Sequence, residues 1–171
     1  TAPVPRHDRP LRLLVIHNPT AGWGRRRRRR LAAVLKALAA RGCAITLRET
    51  TCRGDAETFA GAARLEEFDR IVVAGGDGTI NEVVNGLAHS STPLAVLPAG
   101  TANVAALEMG IPVDPVKAAE MLPRLEPRRL SLGRVHCLGS SSEPRYFLLL
   151  SGTGVDAPIV YTLSARRESW L

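Results

Sequence analysis

One carboxylate set among glycines is the part of this sequence best suited to chemistry. In AGGDGTINEVVNG, residues 74–86, Gly75, Gly76 and Gly78 surround Asp77. Such glycines let a backbone turn tightly and approach a ligand without Cβ clashes. A helix starting there presents free N–H groups and the positive end of its dipole, a seat for phosphate. A carboxylate aimed at that seat would repel the anion unless a cation or a reacting hydroxyl intervened. Asp77 is therefore both the candidate catalytic residue and the candidate magnesium ligand. It could hold the ion directly or through water, or take a proton from an attacking hydroxyl. A purely structural reading stands beside this one. Thr79-x-x-Glu82 has the form of a capping box, and Gly-Asp-Gly also occurs in plain turns. No Walker A or GxGxxG pattern is present, so the ordinary P-loop and dinucleotide fingerprints do not apply.

The periodicity shows what must position this turn. LRLLVIHNP (11–19) reads as a buried parallel strand running into an Asn-Pro turn. From about Arg25 to Arg41 the pattern is helical, with Leu31, Val34, Leu35 and Leu38 on one stripe and Gly42 in the C′ position. CAITLRET (43–50) is a second strand, Gly54 to Glu67 a helix, and RIVVAGG (70–76) a third strand. The next helix carries Ile80, Val83, Val84 and Leu87 on one face. PLAVLPAG (93–100) is a fourth strand and Thr101 to Met109 a short helix. Asp114-Pro115 supplies an N-cap and an N1 proline for a helix reaching about Pro123. This alternation predicts an α/β fold, a doubly wound parallel sheet, over residues 1–125. Ligands of such sheets bind beyond the carboxyl ends of the strands. The turns NPTAGWG, AGGDGT and LPAGT all fall at those ends. After about residue 125, RRLSLGRVHCL and PRYFLLLSGTGV read as strands joined by the polar loop GSSSE. Residues 126–171 are expected to be the opening strands of a second, β-rich domain that is cut short.

Composition narrows the partners. The 171 residues carry a net charge of +7, and six of those charges come from the run Arg25–Arg30, so the rest is close to neutral. Aromatic residues make up only 4 %, which argues against a nucleic-acid surface built on base stacking. Cys43, Cys52 and Cys137 have no ligand or disulfide spacing and read as free thiols. His7, His17, His89 and His136 likewise show no ligand spacing and read as structural or surface residues. The N-terminal stretch has no apolar h-region and no segment has the length to cross a bilayer, which predicts a cytoplasmic protein meeting any membrane from the side.

Taken in order, NPTAG, GGDGTINEVVNG and LPAGTAN resemble the diacylglycerol kinase catalytic domain family. The closer similarity is to its bacterial soluble lipid kinases, which are related to sphingosine and ceramide kinases. GGDGT alone is shared with NAD kinases, whereas the continuation INEVVNG is the lipid-kinase version. The resemblance implies a nucleotide-binding domain of the NAD kinase and diacylglycerol kinase kind, with ATP and Mg2+ as cofactors. The implied nucleotide contacts are Asn18, Pro19, Thr20, Ala21 and Gly22, then Thr50, then Gly75, Gly76, Asp77, Gly78, Thr79, Ile80 and Asn81, with Thr101 completing the set. The implied reaction is transfer of the γ-phosphoryl group to a diacylglycerol-like lipid hydroxyl at a membrane surface, at the inner face, with a homodimer left open. Two departures stand out. Many members read GTxND where this chain has Thr101-Ala102-Asn103-Val104, and in the bacterial enzymes the catalytic carboxylate and a structural metal lie in the second domain. By the same resemblance, Asp156 would lie near the domain interface.

Two other readings compete. One is a kinase of the same superfold acting on NAD or a small molecule; the other is a non-catalytic basic module for nucleic acid or anionic membrane. The helical stripe sorts the arginine run between them. At about 100° per residue Arg27 falls on the buried stripe and Arg28 at its edge, while Arg25, Arg26, Arg29 and Arg30 point outward. Arg27 is therefore a further candidate for the nucleotide phosphates. Trp23 could cover the adenine or shield the strand edge.

Overall fold

The computed structural model describes residues 9–22, 26–63, 67–136 and 143–149, and of Arg27 only the backbone. Four short apolar runs form parallel strands: β1 (Leu11–His17), β2 (Cys43–Glu49), β3 (Arg70–Gly75) and β4 (Leu94–Pro98). Their order is β2-β1-β3-β4, with Leu11 paired to Cys43, Leu13 to Arg70 and Ile71 to Leu94. The helices between them are α1 (Arg27–Ala40), α2 (Asp55–Ala62) and α3 (Asp77–Leu87); α4 (Val104–Glu108) and α5 (Pro115–Met121) follow β4. This is the doubly wound α/β sheet that the alternation predicts.

The period of two in the central strands builds both layers. Leu14, Ile16, Ile71 and Val73 face Ile80, Val83 and Val84 of α3 with Ala105 and Ala106 of α4. Leu13, Val15, Val72 and Ala74 face Val34 and Leu38 of α1 with Ala118 and Ala119 of α5. All of β3 is buried, as a strand covered on both faces must be. Each large apolar side chain removed from water here contributes about 1.5–3 kcal/mol.

Helix boundaries follow local chemistry. Gly42, at φ 78°, ends α1 in the left-handed position, as expected from its place after Arg41. Asp114 caps α5 by accepting the Val116 N–H at 2.9 Å, with Pro115 in the first turn. Helix α2 is shorter than the expected Gly54–Glu67, because Ala63 is already extended. It packs closely on α3, where Gly61 and Gly86 meet backbone to backbone.

Beyond α5, β5 (Gly133–Val135) and β6 (Arg145–Phe147) pair antiparallel, with Arg134 opposite Tyr146. Their short extent supports a hairpin, and the rest of the expected second domain, Asp156 included, lies outside the described residues. β6 is fastened to the α/β layer. The Asn85 side chain meets both backbone groups of Tyr146 at 2.9 Å, and Arg145 forms a double hydrogen bond with Glu57 at 2.8 Å. Among the described residues no helix is long and apolar enough to cross a membrane. Cys43 and Cys52 are free thiols, and Cys137 lies outside the described residues.

Candidate active site

The three glycine turns meet at the carboxyl edge of the sheet. β1 leads into Asn18–Gly22, β3 into Gly76, and β4 into Ala99–Asn103. A Cβ on Gly22 would lie 3.3 Å from the Gly100 carbonyl carbon and 3.4 Å from Thr101 Oγ, so the first and third turns touch. A Cβ on Gly100 would lie 2.6 Å from the Gly76 Cα, so the second and third turns touch as well. Only glycine permits that approach.

Side chains then lock the turns together. Asn18 accepts the backbone N–H of Thr20 at 2.9 Å and donates from Nδ2 to Thr79 Oγ at 3.0 Å. Its own N–H donates to Ala74 O on β3. Asn103 holds the third turn, accepting the Gly100 N–H at 2.8 Å and donating back to Gly100 O at 2.9 Å. It does so at φ 51°, a left-handed conformation that asparagine tolerates better than most residues. Asn103 was not among the expected site residues, although LPAGTAN places it directly before a helix.

The capping-box reading of Thr79-x-x-Glu82 does not hold. Helix α3 begins at Asp77, with extended Gly76 as its N-cap, so Thr79 is already inside the first turn. Its buried hydroxyl accepts from Asn18 instead. No side chain caps α3. The N–H groups of a first helical turn have no intrahelical partners, so this end has donors to offer a ligand. Gly75 and Gly78 contrast sharply. A Cβ on Gly75 would lie 2.7 Å from the Thr79 Cβ, whereas one on Gly78 would meet nothing within 4 Å. Gly75 is required by the protein, while Gly78 faces open space.

Asp77 is held by helix α4. Its carboxylate accepts the Val104 N–H at 3.3 Å and the Ala105 N–H at 3.1 Å. The carboxylate thus has backbone partners of its own at this edge. The residue expected to be acidic in many relatives, here Val104, contributes its backbone N–H to the same contact. Beside Asp77 lies a cavity of about 260 Å³. It is lined by Ile80, Val104, Ala105, Phe147, Leu148 and Leu149, with Asp77 and Asn81 as its polar residues. Ile80 is also part of the core, so within the expected loop its side chain faces inward.

The remaining candidates are distributed around this centre. Thr20 and Thr101 are exposed at the edge, and Pro19 and Ala21 complete the first turn. Thr50 is buried at the end of β2, its N–H bonded to His17 O at 2.9 Å. Asp55 beyond it gathers the Thr51 and Cys52 N–H groups at 2.7 and 3.0 Å. Those bonds, with the Thr51 hydroxyl, hold its carboxyl well below the usual carboxylate range. Arg27 opens α1, which fits a position at the mouth of the sheet, but its side chain and Trp23 lie outside the described residues. Of the two readings given for His17, structural or surface, the structure shows the first. It is buried at the end of β1, and its Nδ1 lies 3.3 Å from Glu49 Oε1. Among the described residues no cluster of three or more His, Cys, Asp or Glu could hold a metal ion.

Comparison with known proteins agrees with this geometry. The model of the diacylglycerol kinase catalytic domain matches residues 12–135. A diacylglycerol kinase of Bacillus subtilis (strain 168) is 38 % identical over 163 residues, 94 % of this chain and 51 % of that protein. One of Staphylococcus carnosus (strain TM300) is 31 % identical over 94 % of this chain and 50 % of its own length. Among solved structures, a diacylglycerol kinase from Bacillus anthracis str. Sterne superposes with a TM-score of 0.60 at 33 % identity, covering 66 % of this chain and 41 % of that one. A second structure from that strain gives 0.65 at 31 % identity, with 71 % and 42 % covered. The chain spans about half the length of the curated relatives it matches. The turns, the sheet that gathers them and these matches together make the chain a member of the diacylglycerol kinase catalytic domain family.

Proposed function

We propose that this chain is the ATP-binding part of a lipid kinase, which transfers the γ-phosphoryl group of ATP to the hydroxyl of a diacylglycerol-like lipid. The observation that carries this reading is Gly78. It sits in the first turn of an uncapped helix, facing open space, where no contact within the protein requires a glycine. A glycine there costs helix stability of roughly 0.5–1 kcal/mol relative to alanine. An approaching phosphate explains it, since a side chain would obstruct the N–H groups of α3.

ATP would then lie along the carboxyl edge, in contact with the Asn18–Gly22 turn, Thr50 and Thr101, with its phosphates over Gly75–Asn81 and within reach of Arg27. The lipid would enter the apolar cavity beside Asp77, whose lining of aliphatic and aromatic side chains suits acyl chains. In the reaction the lipid hydroxyl oxygen bonds to the γ-phosphorus as the bond to the bridging oxygen breaks. ADP leaves with that electron pair, and the hydroxyl proton passes to a carboxylate. Asp77 is the described carboxylate standing between cavity and phosphate seat. Its bonds to α4 fix its orientation. A single carboxylate fits magnesium, which is commonly held by one or two carboxylates and substrate phosphates. Mg2+ would supply neutralisation of the developing charge, with Asp77 as its protein ligand.

Family membership favours this over a basic module that binds without turnover. The test is ATP binding by calorimetry and phosphorylation of diacylglycerol by the protein at its native length. Asp77→Asn is expected to abolish turnover with the fold retained, and near-normal activity would refute the role. If the carboxylate serves mainly the metal, raised Mg2+ restores part of the activity; if it takes the proton, it does not.

A further inference from the structure

We infer that Asn85 is a positioning residue: it fixes the hairpin wall of the cavity beside Asp77, and through that wall it sets how tightly the acceptor lipid is held. The inference rests on the lipid-kinase reading, since it concerns the acceptor side of that site. The cavity has two walls. Asp77, Ile80 and Asn81 of α3 belong to one, and Phe147, Leu148 and Leu149 form the other. Asn85 is not among the lining residues, yet its amide reaches both walls. Its Nδ2 donates to Asn81 O at 2.8 Å on the helical side and to Tyr146 O at 2.9 Å on the hairpin side. Its Oδ1 accepts the Tyr146 N–H at 2.9 Å. Both N–H donors and the carbonyl of the amide are thus engaged, and both backbone groups of the residue next to Phe147 are taken.

Among the described residues β6 pairs with β5 alone, so its other edge presents backbone groups in need of partners. Asn85 supplies what a neighbouring strand would, because a primary amide carries the donor and acceptor of a peptide group. Successive side chains of a strand point to opposite faces, so holding Tyr146 also decides which way Phe147 faces. The Tyr146 hydroxyl lies 3.2 Å from His89 Nε2, beyond the end of α3. Phe147 instead lies over Gly133 of β5, in the space a Cβ there would occupy, and lines the cavity. Asparagine is a weak helix former, since its amide competes for backbone groups, and the bonds to β6 explain it inside α3. The Arg145–Glu57 pair beside it is exposed and screened by salt, which leaves Asn85 as the part-buried polar tie. One helix thus carries the phosphate seat at its start and the clamp on the acceptor wall near its end.

The experiment uses the protein at its native length. Binding of a fluorescent short-chain diacylglycerol in neutral detergent micelles is measured without ATP, and its phosphorylation is then followed with lipid and ATP varied in turn. Asn85→Leu keeps the size and favours the helix, but removes the bonds to Asn81 and Tyr146. It should raise the lipid Kd and KM about ten-fold, the net worth of the lost bonds to β6, with kcat and the ATP KM within about twofold of the wild type. Phe147→Ala should weaken lipid binding as well, and Asn85→Leu added to it should cause little further loss, because Asn85 acts through that wall. Asn85→Asp still accepts the Tyr146 N–H but cannot donate, so its lipid KM should fall between those of the wild type and Asn85→Leu. It gives the same readout if the leucine variant does not fold. Unchanged lipid affinity in the folded Asn85 variants, with wild-type phosphorylation intact, would overturn the inference and leave the lipid-kinase reading. So would equal losses for lipid and ATP, the mark of a merely structural residue, or losses that multiply in the double variant. A wild type that binds the lipid without phosphorylating it would remove the lipid-kinase reading, while weaker binding by Asn85→Leu would still uphold the clamp. A wild type that does not bind the lipid would overturn both.

Discussion

Asn18 Nδ2 lies 3.0 Å from Thr79 Oγ, tying the first glycine turn to the second across 61 residues of sequence. The bond is partly buried, and Thr79 itself is buried against Gly75. Thr79→Val keeps the shape but leaves the Asn18 amide without this partner. A half-buried polar group stranded in this way costs about 1–2 kcal/mol. The unfolding free energy should fall by that amount, read as a lower denaturant midpoint at an unchanged slope, and ATP affinity should fall with it. An unaltered midpoint would show that the two turns are held by backbone packing alone.

Gly78 separates stability from binding. Because nothing lies within 4 Å of the position its Cβ would take, Gly78→Ala should stabilise the chain by roughly 0.5–1 kcal/mol. The same methyl group should weaken ATP binding measured by calorimetry. A stabilised variant with unchanged ATP affinity would remove the first turn of α3 as the phosphate seat.

Gly86 and Gly61 form a matched pair at the α2–α3 contact. A Cβ on Gly86 would overlap Glu57 O and lie 2.9 Å from Gly61 N, whereas one on Gly61 would lie 3.6 Å from Gly86 O. Gly86→Ala should therefore lower stability by about 1–3 kcal/mol through forced separation of the helices. Gly61→Ala should be close to neutral. Thermal unfolding of the two variants checks the contrast, and equal melting temperatures would contradict the helix packing.

Asp69 should give the chain an acid-sensitive clasp. It accepts the Arg12 N–H at 2.8 Å and pairs with Arg12 and Arg9 at 3.0 and 2.8 Å. Burial pushes its carboxyl up, but the hydrogen bonds from Arg12 and Arg9 outweigh this and hold it below the usual carboxylate range. A lowered folded-state value means that the contribution is present above the unfolded carboxylate value, near pH 4, and is lost as pH falls below it. Stability of the wild type should therefore drop more steeply than that of Asp69→Asn between about pH 4 and pH 2. Asp55, lowered by its bonds to Thr51 and Cys52, supplies a background slope in both. Parallel curves would dismiss Asp69 as its source.

Much of the architecture was legible because the signals are local. Apolar runs of strand length, the Leu31–Leu38 stripe, Gly42 and Asp114 each act within a few residues, and each appears where the sequence predicts. The glycine turns could also be assigned to one edge, since a parallel sheet sends every strand-to-helix turn the same way. The family resemblance, carried by contiguous motifs, agreed with the later match over residues 12–135.

What the sequence could not show depends on partners distant along the chain. Thr79 looked like half of a capping box with Glu82, yet its hydroxyl went to Asn18, because α3 starts at Asp77 and puts Thr79 inside the first turn. Asp77 stood out by its glycine neighbours, but the two backbone N–H groups that orient it come from α4, 27 and 28 residues further on. Asn103 became a clamp on Gly100, and His17 became buried beside Glu49. The sequence by itself determined which segments are strands, helices and turns, because hydrophobic period and turn chemistry are short-range. Only the tertiary structure decided which side chain answers which backbone group at the shared edge, because those contacts exist only once the crossovers have brought the turns together.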